Sequence, residues 1–279
     1  MAIKMEYKTL NTGAKMPMLG LGVYGILEST HPIVSAFEAG YRSIDTAYGY
    51  GNEDVVGRAF RESGLARQDV FITTKLSNGA QREGRVAEEF EQSLSNLGMD
   101  YVDLYLMHWP VKEHYVDTWL AMEKIYQSGR AKAIGVSNWQ GYHIEAAKKV
   151  WQVTPALNQI EMHPYLTQKP LLDICKAEGI APESWSPLGG GNMGDVKENL
   201  LTHKTLTKIG EKYGKTPAQV ILRWNIDLGV IAIPKSVTAS RIQANIDIFD
   251  FALTAEEIAD IDALNQDKRT GPDPDNFNF

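Results

Sequence analysis

Short apolar runs rich in β-branched and aromatic residues alternate along the chain with longer amphipathic stretches. A short apolar run suits a strand buried on both faces, and the longer stretches repeat at helical spacing. The alternation therefore predicts successive βα units on a parallel sheet. Strands are predicted near Met18–Val23, Arg42–Thr46, Val70–Lys75, Val102–His108, Ala131–Val136, Ala156–Ile160, Ile180–Trp185 and Val230–Ile233. From the second strand to the seventh, successive starts lie 24 to 32 residues apart. So regular a beat predicts an α/β fold closed into a (β/α)8 TIM barrel, with residues 1–279 forming a single domain.

Between the seventh and eighth strands the interval widens to 50 residues. That leaves room for a Gly-rich loop, an extra helix near Leu201–Tyr213 and the expected helix Pro217–Asp227, whose start is marked by Thr216 as N-cap and Pro217 at N1. Inserted loops at this end of a barrel usually serve a ligand. Asn11-Thr12-Gly13 within Met5–Lys15 reads as the turn of an N-terminal hairpin. The tail from Gly271 to Phe279 carries two prolines, cannot continue a helix, and is expected as an ordered arm or flap.

Composition narrows the function classes. A net charge of -7 and a pI near 5.4 argue against nucleic acid or a membrane surface as partner of the whole molecule. Cys175 is the only cysteine, so no intrachain disulfide can form. Met1 to Glu6 lacks the apolar core of a signal peptide, and a cytoplasmic location is the expectation. The six histidines, at 31, 108, 114, 143, 163 and 203, show no paired ligand spacing, so no metal is expected.

In a parallel barrel the strand C-termini form the active face. Asp45, Lys75 and His108 each end a predicted strand, and Tyr50 follows Asp45 by five residues on the next loop. Singly, each has an ordinary structural explanation. Together, an acid, a lysine, a histidine and a tyrosine at one mouth suggest a proton relay. Lys75 is expected to lower the Tyr50 pKa, Asp45 to pair with Lys75, and His108 to orient a carbonyl. Two rivals share these residues: a Schiff-base lyase or aldolase acting through Lys75, and a cofactor-bound regulatory protein without turnover.

The surrounding stretches resemble the aldo-keto reductase family. They are Gly40 to Ala47 with Tyr50-Gly51-Asn52-Glu53, Leu94 to Leu106 running into His108-Trp109-Pro110, Ile134 to Asn138, Asn158 to Glu161, Trp185 to Gly189, and Ile233 to Val237. The likeness covers almost the whole chain and is strongest to short bacterial members similar to 2,5-diketo-D-gluconate reductases. It implies NADPH-dependent reduction of aldehydes or ketones by a monomer, with Tyr50 as general acid. It further implies that Ser137, Asn138 and Gln159 hold the nicotinamide carboxamide and that Trp185 stacks on the ring. Ser186, Pro187 and Leu188 would line the pyrophosphate path. Lys235, Ser236 and Arg241 would grip a 2′-phosphate, with Asn245 near the adenine. Gly22, Val23, Tyr24, Asp45, Ile233, Pro234 and Val237 complete the implied cofactor contacts, and Tyr24, Tyr50, His108 and Trp109 the substrate walls.

Two glycine patterns imitate a Rossmann fingerprint. Gly20-Leu21-Gly22-Val23-Tyr24-Gly25 does not lead directly into a helix, and reads as a strand-end turn. Gly189 to Gly194 reads as a clasp over the cofactor. The chain also departs from the family pattern. Ala244 stands where an acid often meets adenine, so a weaker adenine contact is expected, and Ser77 stands where an aromatic often walls the pocket, so a wider or more polar pocket is expected on that side. Glu183 has no assignment.

Overall fold

The computed structural model of the chain describes residues 4–190 and 199–279. Of the expected clasp, Gly191 to Gly194 lie outside the described residues. In chain order the elements are β1 (Tyr7–Thr9), β2 (Lys15–Pro17), β3 (Leu21–Gly22), α1 (His31–Ala39), β4 (Ser43–Asp45), α2 (Glu53–Ser63), β5 (Phe71–Leu76), α3 (Asn78–Glu83), α4 (Val86–Leu97) and β6 (Leu104–Met107). They continue with α5 (Tyr115–Gln127), β7 (Ile134–Ser137), α6 (Gly141–Ala147), β8 (Leu157–Glu161), α7 (Lys169–Glu178), β9 (Ala181–Trp185), α8 (Lys204–Tyr213), α9 (Pro217–Asp227), β10 (Ile231–Ala232), α10 (Ala239–Ile246) and α11 (Ala255–Asp262).

Strands β3 to β10 pair in sequence order, each parallel to the next. The ends then meet. Gly20 N donates to Ala232 O at 2.9 Å, Ala232 N to Met18 O at 3.0 Å and Gly22 N to Pro234 O at 3.2 Å. These bonds close the eight strands into a barrel, as the spacing predicts. Gly20 and Gly22 ease the close approach at that seam, since a Cβ on Gly22 would stand 3.0 Å from Ile233 O and one on Gly20 3.2 Å from Ile233 Cγ2. The first glycine pattern is thus a strand end at the closing seam, and the next helix begins only at His31.

Each strand body is buried. Ile44, Ile72, Leu104, Leu106, Val136 and Leu157 have no or almost no exposure, because helices cover the outside and side chains fill the inside. Helix α9 begins as the sequence predicts: Thr216 Oγ1 accepts from Gln219 N while Gln219 Oε1 accepts from Thr216 N, satisfying two otherwise orphaned donors. The extra helix predicted near Leu201–Tyr213 appears as a short 3-10 turn, Leu200–Thr202, followed by α8. The hairpin β1–β2 is antiparallel, with Thr9 opposite Lys15, and Asn11 Nδ2 donates to Pro155 O at 3.0 Å to fasten it to the segment that leads into β8. Among the described residues no helix is long and apolar enough to cross a membrane, and no group of three or more His, Cys, Asp or Glu could hold a metal ion.

Candidate active site

The acid, lysine, histidine and tyrosine expected at the strand ends do converge. Asp45 closes β4, Lys75 lies next to last in β5, and His108 directly follows β6. Tyr50 ends a single 3-10 turn, Tyr48–Tyr50, stopped by Gly51 in the left-handed region at φ 64. That loop is pinned from behind by buried Asn52. Its Oδ1 accepts from Thr46 Oγ1 at 2.6 Å, and its Nδ2 donates to Val23 O and Ile26 O, tying the Tyr24 loop to the Tyr50 loop.

Lys75 is completely buried, and its ammonium donates to Asp45 Oδ1 at 2.5 Å, to Thr46 O at 2.9 Å and toward Tyr50 Oη at 3.5 Å. Burial alone would pull its pKa down, but the Asp45 carboxylate beside it holds it above the ordinary lysine value. An ammonium so clamped is a poor nucleophile, which weighs against the Schiff-base rival.

Tyr50 departs from expectation. Lys75 acts on it in the expected direction, but burial is the larger influence, and Asp45 and Tyr24 add to it, so the phenol lies above its usual value. The expected net depression is therefore corrected for the free chain. A phenol that keeps its proton suits an acid, and the adjacent cation stabilises the phenolate once the proton is given up. The Tyr50 ring is held edge-on between Tyr24 and His108, with centroids 5.0 and 5.5 Å away. His108 is pushed down to about 3, by burial first and the Lys75 charge second. It is therefore a neutral imidazole, able to donate one N–H.

Around this centre stand the other expected residues. Gln159 Nε2 donates to Asp45 Oδ2 at 2.8 Å and to Glu183 Oε2 at 2.7 Å. Ser137 Oγ donates to Gln159 O, and Asn138 Nδ2 to His108 O and Ser137 Oγ. Trp185 is half-buried, its indole N–H fixed on Asn138 Oδ1 at 2.8 Å. Asn138 and Ser186 both adopt positive φ, 64 and 48, where β7 and β9 turn out of the mouth. Lys235 and Arg241 flank the start of α10, are exposed, and enter no ion pair with a described residue. Two unpaired cations there fit a phosphate dianion. Asn245 is buried and Ala244 half-buried on the same helix.

The expected substrate walls Tyr24 and Trp109 differ in exposure. Tyr24 is 69% exposed beside Tyr50, but Trp109 is buried under Phe277 and Phe279, whose ring centroids lie 5.1 and 5.3 Å away. The tail is therefore an ordered arm. Ser77 Oγ accepts from Ala80 N as the cap of α3 and donates to Glu89 Oε2. Sequence reasoning assigned no site role to either phenylalanine, and their contact with Trp109 spans too many residues for any periodicity to reveal it.

Comparison with known proteins gives concordant results. The family model described as "Aldo/keto reductase family" matches residues 28–266. The chain is 49% identical over 273 residues to glyoxal reductase of Bacillus subtilis, covering 97% of this chain and 96% of that protein. It is 46% identical over 272 residues to methylglyoxal reductase DkgA of Salmonella typhimurium, covering 96% of both. A crystal structure of a Bombyx mori aldo-keto reductase in complex with NADP superposes with a TM-score of 0.91 at 37% identity, covering 98% of this chain and 97% of that one.

Proposed function

The chain belongs to the aldo/keto reductase family, and from that premise we propose that it reduces aldehydes or ketones to alcohols with NADPH, Tyr50 serving as general acid. The observation that carries the assignment of roles is the continuous contact from Asp45 through Lys75 to Tyr50 at one barrel mouth. A bound reduced nicotinamide supplies the hydride to the carbonyl carbon. Tyr50 Oη gives its proton to the carbonyl oxygen as negative charge develops there, and Lys75 stabilises the resulting phenolate. Asp45 keeps Lys75 charged and in place. His108, neutral, donates a hydrogen bond that sets the carbonyl oxygen within reach of Tyr50.

On the cofactor side, Ser137, Asn138 and Gln159 face the carboxamide, Trp185 walls the nicotinamide, and Lys235, Ser236 and Arg241 take the 2′-phosphate. The free cations at the start of α10 support NADPH over NADH. Tyr24, Trp109, Phe277 and Phe279 form the aromatic side of the substrate pocket. Two of the relatives are named for reduction of glyoxal and methylglyoxal, and small α-dicarbonyls head the substrate reading here. A monomeric cytoplasmic enzyme of one domain is the accompanying reading, and the lone buried Cys175 suits a reducing compartment.

The test follows cofactor absorbance with glyoxal, methylglyoxal, aliphatic and aromatic aldehydes and keto sugars, using NADPH and NADH in parallel. Consumption of NADPH that depends on a carbonyl is the expected result. A protein that binds NADPH yet reduces none of the panel would favour the non-catalytic rival.

A further inference from the structure

The proton relay does not include Glu183, yet this residue is wholly buried beside it. It stands on β9 in register with Gln159 of β8 on one side and apolar Ile231 of β10 on the other. The charged groups that act on it are Asp45 and Lys75. Gln159 Nε2 gives one hydrogen to Glu183 Oε2 at 2.7 Å and the other to Asp45 Oδ2 at 2.8 Å. A primary amide has two N–H groups, and both are consumed.

Those two bonds also decide which end of the amide is which. Turned over, Gln159 would set its carbonyl oxygen against the Asp45 carboxylate and leave N–H groups unpaired in a dry interior. In the observed orientation Gln159 Oε1 is the free end, with no donor among the described residues. Asp45 alone could hold only one N–H, because its other oxygen takes Lys75.

We propose that Glu183 is a positioning residue which, together with Asp45, locks the Gln159 amide so that Oε1 is presented as an acceptor to the carboxamide NH2 of a bound nicotinamide. This rests on the reading above that Gln159 meets the carboxamide. Burial and the nearby Asp45 hold the Glu183 carboxyl above the ordinary carboxylate range. As a neutral acid it accepts from Gln159 without adding charge to the Asp45–Lys75 pair.

The test is a binding cycle between one side chain and one ligand group. Affinities are measured for NADP+, for its 3-acetylpyridine analogue, in which a methyl ketone replaces the carboxamide and so removes the NH2, and for adenosine 2′,5′-bisphosphate, which lacks nicotinamide. The proteins are wild type, Glu183→Met and Glu183→Gln. Wild type is expected to prefer NADP+ over the analogue by roughly fivefold, the worth of one hydrogen bond. In Glu183→Met the preference falls toward one, because Asp45 alone then holds the amide by a single N–H, while bisphosphate binding is unchanged. Glu183→Gln, which retains an acceptor oxygen, keeps the preference. A Glu183→Met protein that still prefers NADP+ as wild type does overturns the proposal. Wild type that binds both dinucleotides equally refutes the Gln159 contact and the proposal with it, whereas wild type that binds no dinucleotide refutes the NADPH reading itself. Should Glu183→Met not fold, Glu183→Gln decides by side-chain amide NMR. One of the two Gln159 Nε2 protons should shift and the other stay, and an unchanged pair overturns the proposal.

Discussion

The Lys75 ammonium lies 3.5 Å from the Tyr50 hydroxyl and 4.9 Å from the centroid of its ring. The cation therefore serves both forms of the phenol, through the ring while the proton is on and through the oxygen once it has left. Because burial keeps the free phenol above its usual pKa, reduction should hold steady from neutral into mildly alkaline pH, while alcohol oxidation, which needs the phenolate, should rise with pH. Tyr50→Phe keeps the ring between Tyr24 and His108 but removes the proton. We expect kcat to fall by about 10²–10⁴-fold with NADPH affinity nearly intact. Near-normal turnover in that variant would assign the acid elsewhere.

His108 gives a prediction of opposite sign. Its folded pKa, about 3, lies below the ordinary histidine value of 6.5, so between these two values the unfolded chain binds the extra proton. Its contribution to stability is complete above about 6.5 and is lost as pH falls toward 3. Replacing His108 by Asn should flatten this part of the acid limb in thermal unfolding. The same substitution should lower kcat/KM by about 10²-fold, the usual cost of one donor at a developing oxyanion. No inflection attributable to His108 should appear in the activity profile between pH 5 and 8, and one appearing there would contradict a neutral imidazole.

Glu183 bears on stability in the other direction. Its carboxyl is raised from 4.5 to about 8, burial being the first cause and Asp45 the second. Between those values the folded chain holds a proton that the unfolded chain has released, so stability declines as pH rises through this window. Glu183→Gln, which cannot ionise, should match wild type near pH 4 and exceed it near pH 9. The gain should be on the order of 1 kcal/mol or more, roughly 2–4 °C in Tm. Equal melting curves at both pH values would mean that Glu183 stays ionised when folded.

These residues also show what the sequence could and could not tell. The strand bodies were legible because burial on both faces makes them continuously apolar, as in Phe71-Ile72-Thr73-Thr74-Lys75-Leu76. Their polar ends, Asp45, Lys75 and His108, stood out against that background. Glu183 was legible in part: period-two alternation places it on the same face as Trp185, so a residue assigned to the site implied an inward glutamate. Its partner Gln159 lies 24 residues away and follows only from register. The net direction of the Tyr50 pKa could not be read, because it depends on how far burial outweighs one cation. The two phenylalanines over Trp109 reach it through tail contacts that leave no local pattern.

What holds that tail is Glu161, fully buried at the end of β8. Its Oε1 accepts from Thr270 N at 2.6 Å, Thr270 Oγ1 at 2.7 Å and Gly271 N at 3.1 Å, with His163 Nε2 at 3.1 Å beside it. Burial pushes the carboxyl up, but these donors together bring it below the ordinary value. The anchor's stabilisation is therefore present above the unfolded carboxylate value and is lost as pH falls through the folded one. Beyond the anchor the arm packs so closely that a Cβ on Gly271 would stand 2.3 Å from Trp185 Cη2. It then runs to Asp275, which accepts from Tyr142 Oη, and to Phe279 O, held by Asn78 and Arg82. Cutting the anchor with Glu161→Ala, or displacing the arm with Gly271→Ala, should uncover Trp109 and remove the Phe277 and Phe279 walls. Carbonyl KM should rise by about tenfold with a smaller change in kcat, because the relay of Asp45, Lys75 and Tyr50 is untouched. Trypsin should cut after Lys268 and Arg269 faster than in wild type, since the flanking backbone loses its fixed partners. Released tails with unchanged KM would show that the arm covers the barrel mouth without shaping the substrate site.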